Sequence, residues 1–276
     1  MRDVASERDP RGIAIKRVGI RGLSLPTLVS VKSGGHTRVS ATIDMSVDLP
    51  REFRGTHMSR FVALLGEWQD RPFGRQEIEK LLTAAKRRFG STSAFISVRF
   101  KYYVEKKAPV SRTPFHMDYN CLFEGELDGD ALVFHLGVEV PVLTLCPCSK
   151  EIAEAGAHSQ RAAVRALLQN DYGRIVWIED LVAMLEGQGS TPVYPFLKRA
   201  DEKLLTENAY ANPKFVEDVV RDAVLELSKL DHVPWFRVEC ESFESIHNHN
   251  AYAMYETPPR PDRPEPPARP HSRPKH

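Results

Sequence analysis

Cysteine is scarce in this chain: Cys121, Cys146, Cys148 and Cys240 are all there are in 276 residues. That is too few for a secreted disulfide scaffold, and a chain of this length buries enough apolar surface to need no such staples. Long apolar runs are also missing. No stretch approaches the roughly 18–20 consecutive apolar residues of a membrane helix, and the opening residues MRDVASERDP carry early acids instead of the apolar run of a signal peptide. We therefore expect no membrane partner and a cytoplasmic protein. Nor is there an excess of one charge: 38 Lys and Arg stand against 37 Asp and Glu, for a net charge of +1. Dedicated nucleic-acid binding rests on phosphate neutralisation, so no nucleic-acid partner is expected. The runs G-x-x-x-x-G-K-[ST], G-x-G-x-x-G and G-x-S-x-G are absent, which removes support for P-loop, Rossmann and serine-hydrolase chemistry.

What is present reads as an α+β protein with two unanchored ends. Residues 257–276 hold eight of the 20 prolines, five basic and two acidic residues, and no large apolar side chain. Proline blocks helix and removes backbone donors, so this is expected to be a disordered tail. Residues 1–14 are expected to be equally free. Between them, Val39–Val47 reads as a strand, and Met58–Leu65 and Gln76–Phe89 have helical spacing. Ser93–Tyr103 alternates cleanly as a half-buried strand. Met117–Leu127 and Ala131–Leu145 are two more strands, joined by the turn Asp128-Gly129-Asp130. Ser159–Gln169 reads as a helix through Ala162, Ala163, Ala166 and Leu167. Asn212 is expected to cap a further helix with Pro213 at its first position. Trp235–Cys240 alternates as a strand that runs on towards Tyr252. Two successive units of similar size follow, residues 15–145 and 146–256.

Three clusters could carry chemistry. Leu145-Cys146-Pro147-Cys148-Ser149-Lys150-Glu151, followed by Gly156-Ala157-His158, places a thiol and an imidazole, both good zinc ligands, within a dozen positions. Two small buried cysteines at a strand end are the alternative, and C-x-C is the wrong spacing for a four-cysteine zinc site. In Glu241-Ser242-Phe243-Glu244-Ser245-Ile246-His247-Asn248-His249, strand alternation points both imidazoles to one face and Glu244 to the other. If Glu244 and His247 serve one site, the chain must bulge or turn between them. Asp201-Glu202-Lys203 precedes the capped helix, on which Glu217 falls at the margin of the apolar arc. A carboxylate there could take both donors of a guanine edge, or lie on a solvated helix face.

Together these segments resemble the type IB GTP cyclohydrolases of folate biosynthesis. The resemblance rests on Gly55-Thr56-His57-Met58-Ser59-Arg60-Phe61, Leu145-Cys146-Pro147-Cys148-Ser149-Lys150-Glu151-Ile152, Gly156-Ala157-His158 with Gln160-Arg161, Asp201-Glu202-Lys203, Asn212-Pro213-Lys214-Phe215-Val216-Glu217-Asp218, and Phe243-Glu244-Ser245-Ile246-His247-Asn248-His249. It spans roughly Arg17 to Tyr255. Ser159 stands where Asn is expected, and Glu154-Ala155 where Tyr is usual. The resemblance implies a tunnelling fold: antiparallel sheets with helices on one side, duplicated in the chain and closed into barrels by oligomerisation, as a homotetramer with interfacial active sites. It implies conversion of GTP and water to formate and 7,8-dihydroneopterin triphosphate. The implied cofactor is a divalent ion (zinc, manganese or iron), held by Cys146, His158 and Glu202, with Glu244 and His247 as further or alternative ligands. His247 and His249 would move protons, Glu217 would hold the guanine, and Lys150 and Arg161 the triphosphate. Two rivals are a nitrile-reductase-like enzyme of the same fold with a nucleophilic Cys146 or Cys148, and a non-catalytic metal-binding scaffold.

Overall fold

Period-two alternation dominates the folded chain and builds one large antiparallel sheet. The computed structural model describes residues 5, 7–170 and 174–258. Strands β1 (Ile15–Ser30) and β2 (His36–Leu49) are followed by helix α1 (Met58–Gly66), the short β3 (Pro72–Phe73) and helix α2 (Arg75–Phe89). Then come β4 (Ser93–Lys107), β5 (Pro114–Asp128), β6 (Ala131–Leu145), α3 (Pro147–Ile152), β7 (Ser159–Gln169), α4 (Ile178–Glu186) and β8 (Thr191–Pro192). Helices α5 (Arg199–Ala211) and α6 (Val216–Leu227) lead into β9 (Trp235–Ser242) and β10 (Ala251–Glu256). The sheet order is β10-β9-β7-β6-β5-β4-β2-β1-β3, with β8 beside β6. Among the described residues only the β1–β3 pairing is parallel.

One face of the sheet holds the core. Ile96 and Val98 of β4, Val140 and Val142 of β6 and Val238 of β9 are buried with Leu81 and Leu82 of α2, Leu181 of α4 and Val219 of α6. Each such side chain contributes about 1.5–3 kcal/mol when taken from water, so the apolar stripe on each helix fixes it to the sheet. A buried polar contact adds direction. The Tyr119 hydroxyl and Lys106 Nζ both donate to Glu186 Oε1 at 2.6 Å, and the Tyr102 hydroxyl donates to Glu179 at 2.6 Å. These bonds hold α4 against the strands β4 and β5, which come much earlier in the chain. At the β5–β6 turn, Gly129 has a φ of 55°, a left-handed conformation that glycine adopts without cost.

Several expected elements appear where alternation or helical spacing placed them: α1, α2, β2, β4, β5 and β6. Others differ. Ser159–Gln169 is a strand, not a helix. Ala162, Ala163, Val164, Ala166, Leu167 and Leu168 are all buried, so the segment has apolar residues on both faces, and pairing with β6 and β9 overrides its helix-forming composition. Asn212 does not open a helix but ends α5, and its amide donates to the carbonyls of Gly189 and Ser190 at 3.3 Å. Helix α6 begins at Val216, where Asp218 accepts the Phe215 N–H at 3.1 Å. The strand from Trp235 stops at Ser242; residues 243–250 form a loop before β10 returns antiparallel. The start of the chain is anchored in part: Ala5 and Glu7 carbonyls accept the N–H groups of Gly55 and Arg54, and the Asp9 N–H donates to Glu52. The proline-rich tail lies outside the described residues from 259 onwards.

Asp201 secures the start of α5. It is fully buried and accepts from the N–H groups of Val110, Ser111 and Lys198 at 2.8–2.9 Å and from the Ser111 hydroxyl at 2.7 Å. Burial alone would raise its pKa, but the bonds from Ser111, Lys198 and Val110 outweigh burial and hold it well below the ordinary carboxylate range. A depressed pKa contributes stability above the unfolded value of about 3.9 and loses it as pH falls further. Asp201→Asn is expected to unfold in less urea than wild type at pH 7, with the gap narrowing at pH 3. An equal gap at both pH values would show that the charge plays no part.

Candidate active site

Strand register sets one end of the sheet. Leu145 of β6 faces Ser159 of β7, Thr144 faces Gln160, and Ala162 of β7 faces Ser242 of β9. Cys146 leaves β6 as the cap of α3, with Pro147 next; its N–H donates to the His158 carbonyl at 3.1 Å, and its Sγ accepts the Ser149 N–H at 3.4 Å. The Ser149 hydroxyl donates to the Cys146 carbonyl (3.2 Å) and accepts the His158 N–H (3.1 Å). Gly156, with φ of 78°, turns the chain into this clasp. Cys146 and His158, twelve positions apart, are thus joined through the backbone. Cys121 and Cys240 are buried, and burial pushes each thiol up to about 12. Cys146 is half-buried and Cys148 exposed.

A polar row lies beneath His158 on the core face of the sheet. Gln160, Thr144 and Ser242 are buried. Gln160 Nε2 donates to Ser242 Oγ (3.2 Å), Thr144 Oγ1 (3.4 Å) and Glu244 Oε1 (3.3 Å), and the Ser242 hydroxyl donates to Glu244 at 2.9 Å. His158 Nδ1 lies 2.9 Å from Gln160 Oε1 and 3.9 Å from Glu244 Oε2. The rings of His158 and His247 stand nearly perpendicular, 6.3 Å apart at their centres, and those of His247 and His249 stack at 5.2 Å. The two imidazoles of the H-x-H pair therefore do meet, though in a loop and not by strand alternation. The chain turns after Ser242, which brings Glu244 to the same side. Sequence reasoning gave no role to Gln160, Thr144 or Ser242. The available signal was a polar residue at the core-facing position of otherwise apolar strands.

The remaining predicted residues lie apart from this cluster. By alternation, Leu143 and Arg161 face away from the core; there, with Tyr194, Glu202, Leu205 and Tyr210, they line a cavity of about 410 Å³ that reaches Gly156 and Ala157. Glu202 and Arg161 thus share a cavity, joined to the histidine cluster by the segment 156–158. Lys150 Nζ sits at the cavity's rim, donating to the Tyr210 carbonyl at 2.5 Å and lying 4.3 Å from the centre of that ring. Glu217 is exposed on the first turn of α6, near enough to Cys240 that its charge helps burial raise that thiol. Its carboxylate has no hydrogen-bond partner among the described residues.

Does this donor set fit a divalent ion? Among the described residues, no three His, Cys, Asp or Glu side chains are closed tightly enough to hold one. The chemistry fits nonetheless: thiol, imidazole and carboxylate are the donors that zinc and its neighbours use. Ser242→Ala, which removes a donor to Glu244 and an acceptor of Gln160, is expected to lower the unfolding free energy by about 1–3 kcal/mol. Urea denaturation checks this, and an unchanged midpoint would mean that the buried row contributes nothing.

Comparison with known proteins places the chain in a family. The family model for type I GTP cyclohydrolase folE2 matches residues 1–253. GTP cyclohydrolase FolE2 of Syntrophotalea carbinolica is 48% identical over 266 residues, 96% of this chain and 98% of its own. The FolE2 of Geobacter sulfurreducens is 46% identical over 93% of this chain and 98% of its own. Among solved structures, uricase from Arthrobacter globiformis aligns with a TM-score of 0.56 at 9% identity, covering 91% of this chain and 96% of that one. Urate oxidase from Bacillus subtilis 168 aligns at 0.50 with 6% identity, covering 87% and 98%. These two share the α+β architecture with its large antiparallel sheet. Matched along nearly its whole length by the family model and by relatives approaching half identity, the chain belongs to the type I GTP cyclohydrolase FolE2 family.

Proposed function

We propose that this protein is a metal-dependent GTP cyclohydrolase of folate biosynthesis. It opens the guanine imidazole ring, releases C8 as formate and recloses the product as 7,8-dihydroneopterin triphosphate. The gathering of His158, Glu244, His247 and His249 at one sheet end, with Cys146 bonded through its backbone to His158, carries this reading for a member of the FolE2 family. Cys146, His158 and Glu202 would hold a divalent ion (zinc, manganese or iron), with Glu244 or His247 as further or alternative ligands. Such an ion, when bound, supplies Lewis-acid activation of water near neutral pH.

The chain's own groups do the rest. His247 and His249, stacked and exposed, exchange protons with N7 and N9 of the purine as those atoms change bonding. Glu217, with no partner of its own among the described residues, accepts the N1–H and 2-amino hydrogens of guanine and orients C8. Arg161 and Lys150, in and beside the cavity, neutralise the triphosphate.

The working form we propose is a homotetramer of cytoplasmic location with sites between subunits, each chain supplying units 15–145 and 146–256 to a closed barrel. In support, β10 is an open edge with exposed Tyr252 and Met254, next to exposed Phe243 and Ile246 of the histidine loop. An uncovered apolar edge of this kind suits pairing with another copy.

Purified protein supplied with Zn²⁺ or Mn²⁺ is expected to release formate from GTP and yield a fluorescent neopterin after oxidation and dephosphorylation. Failure with every divalent ion would overturn the assignment. His247→Ala is expected to keep its circular dichroism and lose about 10²–10⁴-fold in turnover; a wild-type rate would remove it from proton transfer. Glu217→Gln, which turns one acceptor into a donor, is expected to weaken GTP by at least about 100-fold. Unaltered GTP affinity in that variant would leave Glu217 as a solvated helix residue.

A further inference from the structure

We infer that Gln160 is a positioning residue: it fixes His158 in the tautomer that carries its proton on Nδ1 and offers a bare Nε2 to the site. The deduction starts from Glu244. A carboxylate has no hydrogen to give, so the Gln160 atom 3.3 Å from Glu244 Oε1 must be the amide nitrogen. The same nitrogen faces Ser242 Oγ and Thr144 Oγ1. The amide oxygen is therefore the atom 2.9 Å from His158 Nδ1, where it also accepts the Ser245 hydroxyl at 3.3 Å. A carbonyl oxygen only accepts, so Nδ1 must carry the hydrogen. A neutral imidazole has only one, which leaves Nε2 with its lone pair free.

Burial gives this arrangement its force. Gln160 is only 8% exposed, so its amide cannot turn over and recover lost partners from water. Turned over, the oxygen would face the Glu244 carboxylate and the NH₂ group would oppose Nδ1–H. One side chain therefore ties three things together: the ring orientation of His158, the rotamer of Glu244 and, through Ser245, the start of the histidine loop. An outer hydrogen bond of this type is what makes an imidazole nitrogen a defined ligand or acceptor. That Nε2 serves a metal rests on the function proposed above; the tautomer does not.

The test uses ¹⁵N-labelled, metal-free protein at about pH 8.5, well above the ordinary imidazole pKa of about 6.5, where two-bond ¹H–¹⁵N correlations distinguish the tautomers. Wild-type His158 is expected as the Nδ1–H form. Gln160→Met, close in shape but without the amide, is expected to shift His158 towards Nε2–H. Gln160→Glu, which keeps an acceptor for Nδ1–H, is expected to retain the wild-type tautomer. An Nε2–H ring in the wild type would overturn the inference without any variant, as would a Gln160→Met ring unchanged from wild type. Equilibrium dialysis with Zn²⁺ alone is expected to show affinity lowered about 10–100-fold in Gln160→Met. If wild type took up no stoichiometric metal while the tautomer still followed residue 160, the positioning role would stand and the metal reading would fall.

Discussion

The register of three neighbouring strands is the constraint on which the site depends. Because β6, β7 and β9 pair as Thr144 with Gln160 and Ala162 with Ser242, three polar side chains arrive at one buried level and the chain segments beyond them diverge around it. A slip of one residue would turn every side chain of a strand to the other face. It would bury Arg161 in place of Gln160 and disperse the row beneath His158. The alternating apolar residues further along the same strands, Val140, Val142, Val164 and Val238, forbid that slip because they fill the core. Hydrophobic packing at one end of the ladder thus fixes polar geometry at the other.

The sheet separates two kinds of work. Its core face leads to the imidazole and carboxylate cluster, where the groups proposed to hold a cation and move protons are collected. Its opposite face carries the cavity under α5, with Arg161 and Glu202 on the wall. The short clasp from Gly156 to His158 is common to both, since its first two residues line the cavity and its third joins the cluster. Asp201 locks α5 to the β4–β5 connection and so sets where Glu202 stands relative to that clasp. A large substrate with a purine at one end and phosphates at the other suits a site arranged in this way.

Much of this was legible in the sequence, and what was not has physical causes. The strands Ser93–Tyr103 and Ala131–Leu145 announce themselves because one face is apolar and the other polar. β7 misleads because Ala162, Ala163, Ala166 and Leu167 favour helix, while its central position buries both faces; periodicity cannot read a strand without a polar side. Strand β1 escaped notice: Lys16, Arg17 and Arg21 break its alternation, and its pairing with β2 slips twice. α5 escaped because only Asp201 and Ala209 are buried along it, too little for an apolar stripe. Chemical type and spacing single out Cys146, His158 and the two loop histidines as candidates, and Glu244 enters through the resemblance. Gln160 could not be found in that way, since its importance lies in what it holds and not in what it could bind.

The most direct measurement is a crystal structure of the assembled protein with zinc and a guanine nucleotide, the ion located by anomalous scattering. The account predicts the ion about 2.3 Å from Cys146 Sγ and about 2.0–2.1 Å from His158 Nε2, with Glu217 against the guanine edge. An ion remote from both residues, or one bound through His158 Nδ1, would contradict it.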